Sequence, residues 1–147
     1  MPQLYPTINL PTLVKPRPVA HTQKYYPAPF FNFETGDFVF GGDGRPIMAD
    51  EKETFEQWCL KTCMTERETR LAYSDKIGCE WEDAMKEPDH EAVMSSIART
   101  ITETIMVNPA AEYVKDFEFE STGDELKVSF TVKGKYWLDA SRITISI

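Results

Sequence analysis

The sequence predicts an α+β fold: a small antiparallel or mixed sheet packed against two to three helices, preceded by an extended Pro-rich N-terminal arm. Three observations lead there. Apolar residues recur at three- and four-residue spacing between positions 50 and 107, the period of a helix face. After Pro109 the spacing drops to two, the period of a strand. Seven of the ten prolines fall within the first 29 positions. A chain of 147 residues can bury roughly two thirds of its unfolded surface, enough for one core and one domain.

Taken in order, Pro2, Pro6, Pro11, Pro16, Pro18, Pro27 and Pro29 each fix φ and bias the preceding residue toward extended backbone. Leu4, Tyr5, Ile8, Leu10, Leu13, Val14, Tyr25 and Tyr26 lie among them, so this is no solvated linker. Residues 1–29 read as an extended arm lying on another surface, the alternative being a loop packed on its own domain. Residues 30–147 form that domain.

Phe30, Phe31 and Phe33 begin it, and Asp37 to Phe40 follow Gly36, which fits a short strand or hairpin before the glycine-rich turn at 41–44. Those glycines lack the Lys-Ser/Thr of a phosphate loop. Asp50, with Glu53 three residues on, reads as a capping box that opens a helix of about three turns, striped by Phe55, Trp58, Cys59 and Cys63. Residues 65–78 are polar and read as an ordered loop with room for a short strand, anchored by Leu71, Tyr73 and Ile77. A short helix is expected at 81–86. A longer one is expected over 90–107, capped by Asp89 and striped by Val93, Met94, Ile97, Ala98, Ile101 and Ile105. Pro109 stops it. Phe117 and Phe119, a turn at 121–124, then Leu126, Val128, Phe130 and Val132 make a hairpin. Ile143, Ile145 and Ile147 alternate to the last residue, so this strand must find a sheet, at home or by adding to another chain.

The formal charge is −8. Residues 1–46, 47–107 and 108–147 contribute +1, −7 and −2. An acidic balance opposes both nucleic-acid binding through phosphates and docking on anionic lipid. No apolar run reaches a membrane span. The N-terminus lacks the basic and apolar regions of a signal peptide. Cys59, Cys63 and Cys79 are therefore expected as reduced thiols. Cys59 and Cys63 would share a helix face, but Cys79, His21 and His90 add no paired spacing, so a semi-buried helix face is expected and no metal.

No catalytic constellation emerges. Glu66, Glu68, Asp75, Glu80, Glu82 and Asp83 could include a close carboxylate pair, as glycoside hydrolysis requires, yet none sits in an apolar run that would raise its pKa. His21 and His90 lie near no nucleophile motif. The expectation is a binding or structural protein with no cofactor.

One family orders its elements in this way. Residues 32–38 (NFETGDF), Gln57-Trp58 on an acidic helix, Thr65-Glu66-Arg67, the 73–78 stretch (YSDKIG), a long helix ending at Asn108-Pro109 and a following hairpin come in sequence. This order resembles the baseplate proteins of PBSX-like prophages, relatives of the wedge protein that initiates the contractile sheath. The resemblance covers about residues 30–147. It implies no substrate, a place in the baseplate of a phage tail or tail-like particle assembled in the bacterial cytoplasm, and symmetric copies, six being expected. Other wedge proteins, the sheath protein and the tube or hub proteins would be its partners. It implies interaction roles for Arg67, in the family's threonine-x-arginine stretch, and for Pro109, where the family's Glu-Pro-Arg is replaced by Asn108-Pro109-Ala110. The strand with Ile143, Ile145 and Ile147 would support sheath docking, and a chain ending at Ser141 is expected to fold but not to nucleate sheath. A peptidoglycan hydrolase using an acidic pair, and a small cytoplasmic adaptor, are the competing readings.

Overall fold

A computed structural model describes residues 25–147; the expectation for residues 1–24 of the arm lies outside the described residues. A hairpin of β1 (Phe31–Asn32) and β2 (Asp37–Phe38) comes first. Three helices follow: α1 (Glu51–Cys63), α2 (Trp81–Met85) and α3 (His90–Met106). The chain ends in β3 (Ala111–Thr122), β4 (Glu125–Gly134) and β5 (Ser141–Ser146), an antiparallel sheet in the order β3-β4-β5. The α+β expectation is met.

The helix starts follow from their caps. Asp50 accepts from Glu53 N at 2.8 Å while the Glu53 carboxylate accepts from Asp50 N at 2.9 Å, closing the expected capping box. Asp89 also occupies an N-cap position in extended geometry, but its side chain makes no cap hydrogen bond; its carbonyl accepts from Val93 N instead. On α3, Ile97, Ile101 and Ile105 are fully buried at a strict four-residue spacing. Thr100 and Thr104 are buried beside them, a polar stripe whose use appears below.

Helices α1 and α3 pack against each other, α3 covering β3 and α1 covering β5. The sheet face beneath them carries Val128, Phe130 and Val132 from β4 with Ile143 and Ile145 from β5, all buried. Registered pairs bring like to like: Val128 opposite Ile145 and Phe130 opposite Ile143. Ile143 and Ile145 are thus core residues. The expectation that a chain ending at Ser141 stays folded is corrected accordingly, because it would delete two buried isoleucines at about 2–5 kcal/mol each.

Strand β3 starts six residues before the Phe117/Phe119 alternation. The parity of Val114 does not match theirs, and the reason is a bulge. Lys115 pairs Thr131 and Glu118 pairs Ser129, so two residues on β3 oppose Phe130 alone. Asp116, at φ 57°, absorbs the extra residue. Val114, Phe117 and Phe119 then all pack against the core, with Phe117 stacked on Phe130 at 5.6 Å.

The three cysteines are more deeply enclosed than a semi-buried face would allow; each is fully buried. Burial pushes the Cys59 thiol well up, aided by the nearby Glu56 carboxylate. Cys63 rises through its hydrogen bond with Cys79, then through burial. Among the described residues no group of three or more His, Cys, Asp or Glu side chains is placed to hold a metal ion, and no helix is long and apolar enough to cross a membrane.

Candidate assembly surfaces

Arg67 stands at the centre of a polar clasp. Residues 65–67 run beside Cys79, with Cys79 N donating to the Thr65 carbonyl at 2.9 Å and Arg67 N to the Cys79 carbonyl at 3.0 Å. The Arg67 guanidinium pairs with Glu80 at 2.7 Å, and its Nε donates to the Gly78 carbonyl at 3.1 Å. That same carbonyl accepts from the buried Thr104 hydroxyl, and Glu80 N donates to Thr100 Oγ1 at 2.9 Å. The threonine stripe of α3 therefore anchors the loop. Gly78 sits at φ +105°, and a Cβ there would lie 2.8 Å from the Thr65 carbonyl oxygen, so this close approach needs glycine. Arg67 is mostly enclosed, and its contacts hold the loop to the helix, whereas Leu71 and Tyr73, expected as anchors, are exposed.

Asn108 is likewise turned inward. Its Nδ2 donates to the Tyr25 hydroxyl at 3.1 Å, and its Oδ1 accepts from Ala110 N at 3.0 Å. Burial raises the Tyr25 pKa, with the Asn108 bond opposing and Cys59 adding to the rise. Pro109 is exposed on the outside of this turn. The Asn108-Pro109-Ala110 site thus joins the end of α3 to Tyr25, whose ring meets Phe55 and Trp137 edge-on. Residues 25–29 are part of the packed unit: Ala28 N donates to Thr54 Oγ1 and Pro29 bridges to Met48.

The last strand offers a different kind of surface. Leu126 and Ile147 exchange both backbone hydrogen bonds, at 3.2 and 2.9 Å. Antiparallel alternation then turns the N–H and C=O groups of Ser141, Ile143 and Ile145 toward β4, and those of Arg142, Thr144 and Ser146 outward. These three residues are exposed and no strand lies beyond them among the described residues. Arg142 reaches across the sheet to Glu118 at 2.6 Å and to the Asp116 carbonyl at 3.2 Å, tying the edge strand to the bulge. Ile143, Ile145 and Ile147 hold the strand to its own core, while the backbone edge remains open.

A fourth feature was not visible as a site in the sequence. Phe31, Phe33 and Phe38 of the hairpin, Tyr25, and Trp58 and Gln57 of α1 line a groove of about 450 Å³. The Phe31 ring meets Phe33 at 5.0 Å and Phe38 at 5.2 Å, both edge-on. Gln57 Oε1 accepts from Phe31 N at 2.6 Å, and its Nε2 is buried with no hydrogen-bond partner. The aromatic density of residues 25–40 was the available signal, but sequence could not say that these rings line a concavity instead of filling a core.

The described residues thus form a helix–sheet body with an open strand edge and an exposed apolar hairpin. Residues 29–137 match the model of the contractile injection system sheath initiator family, and the chain belongs to that family. One relative is the phage-like element PBSX protein XkdS of Bacillus subtilis (strain 168), 33% identical over 85 residues, covering 55% of this chain and 59% of the relative. The chain thus matches less than two thirds of that relative's length. The family expected from the order of short motifs is the one found, and it is a structural family; nothing in these comparisons supports the hydrolase alternative.

Proposed function

We propose that this protein initiates the sheath of a contractile phage tail or tail-like particle as a structural, non-enzymatic component of its baseplate. It links the baseplate wedge to the first sheath ring in several symmetric copies, six in a six-fold baseplate, and joins the particle in the host cytoplasm. Its partners are other wedge proteins, the sheath subunit, and the tube or hub proteins. The match over residues 29–137 carries this reading.

The outward groups of Arg142, Thr144 and Ser146 support a docking mode. A sheath segment in extended form would add a fourth strand beside β5, gaining main-chain hydrogen bonds whose register the rigid β4–β5 pairing fixes. Ile143, Ile145 and Ile147 serve by holding that edge still. Arg67 and Asn108 serve in the same indirect way, by fixing the loop and the turn at either end of α3, with Pro109 the exposed member of its site. Of the arm, residues 1–24 anchor the chain along neighbouring baseplate proteins, residues 25–29 being held on the domain itself.

The test is to delete the gene in the producing cell and image the particles by electron microscopy. Baseplates and bare tubes without sheath, restored to sheathed tails by the intact gene, are expected. Normal-length sheathed tails in the deletion strain would refute the role.

A further inference from the structure

The aromatic groove beside Tyr25 is not used by the docking mode above, and its chemistry names an occupant. Among the described residues its lining is mostly rings and aliphatic groups, with Thr54 and Gln57 as polar members and Lys61 as its one charge. Such grooves take proline-stiffened segments, whose backbone carbonyls are unpaired and whose extended form loses little entropy on binding. The first 14 residues of this chain contain Pro2, Pro6 and Pro11 with Leu4, Tyr5, Ile8, Leu10, Leu13 and Val14, and no charged side chain. The described chain begins at Tyr25, itself part of the lining. Ten residues, 15–24, separate that point from the uncharged stretch. Extended, they span about 31 Å, ample for the chain to turn back over the groove. Those ten carry Lys15, Arg17 and Lys24 and no acid, while the first half of α1 carries Glu51, Glu53 and Glu56 against Lys52. Tethering holds the segment at millimolar effective concentration, far above what a free partner would reach.

The geometry points to residues 4–14 of the chain's own arm as the occupant of this groove before assembly. The free protein thereby covers an aromatic surface that would otherwise invite aggregation. Arm anchoring on a neighbour then begins with release from the groove. The inference extends the proposed role of the arm, but its test needs only the isolated chain, so either can fail without the other.

The experiment uses the full-length, ¹⁵N-labelled protein with a nitroxide attached at Ile8→Cys; Cys59, Cys63 and Cys79 are fully buried and shielded from the reagent. The amides of Phe31 and Phe38 and the Trp58 indole N–H should lose signal through paramagnetic broadening, while those of β5 keep theirs. Adding Leu10→Asp and Leu13→Asp should restore the lost signals. Equal broadening in ¹⁵N-labelled chain that lacks the nitroxide, when mixed with unlabelled, nitroxide-bearing chain, would assign the groove to a second copy's arm and overturn the proposal. So would intact groove signals in every sample.

Discussion

The sheet of β3, β4 and β5 and the hairpin of β1 and β2 are both antiparallel and both carry phenylalanines, yet they use their apolar residues in opposite ways. In the sheet, Val128 and Phe130 are wholly buried and Val132 nearly so. Around the hairpin, Phe38, Phe40, Ile47 and Met48 are each about half exposed, Phe40 at 55%. The sheet has two helices over its apolar face, whereas the hairpin, among the described residues, faces α1 alone, across a groove lined by Thr54, Gln57, Trp58 and Lys61. One region therefore supplies stability and the other supplies surface. The difference shows why apolar content alone identifies neither.

Substitutions should separate the two regions by size of effect. Phe130→Ala removes a fully buried ring stacked on Phe117 and should cost about 3–5 kcal/mol in urea unfolding. Phe40→Ala, on the exposed hairpin, should stay within about 0.5 kcal/mol. Equal losses would mean that the hairpin is as much core as the sheet. The polar clasp lies between these extremes. Arg67→Ala leaves the Gly78 carbonyl and Glu80 short of a donor and should cost about 2 kcal/mol. Asp50→Ala, which opens the capping box at the start of α1, should cost about 1 kcal/mol.

Much of this was legible in the sequence. The capping box, the Ile97-Ile101-Ile105 stripe and the β4 alternation are local signals, and each is realised because burial agrees with propensity. The sites were less so. Arg67 and Asn108 could be singled out, but that both point inward depends on Thr104 and Tyr25, which lie 37 and 83 positions away in the chain. The β3 bulge hid the first half of its strand by shifting parity at Asp116. The groove depends on which rings face each other across the hairpin and α1, and spacing carries no record of that.

The thiols give a further, smaller test of the body. Cys59 and Cys63 have pKa values raised above those of the unfolded chain. Their contribution is complete below the unfolded thiol value, about 8.5, and is lost as pH rises above it, because the unfolded chain then releases protons that the native one retains. Unfolding free energy should therefore decline from about pH 8.5 upward, and native protein should resist alkylation at pH 8 until denatured. Rapid alkylation of the folded protein would contradict this burial.

The open edge of β5 is tested most directly by Thr144→Pro. Proline there removes an outward N–H and leaves the bonds to β4 intact, a placement that edge strands tolerate. The protein should fold, with native circular dichroism and only a modest loss of stability from its bond to Ser129. Particles carrying it should show baseplates and tubes but no extended sheath by electron microscopy. Folded Thr144→Pro protein incorporated into particles with normal-length sheaths would contradict the claim that sheath is templated on this strand.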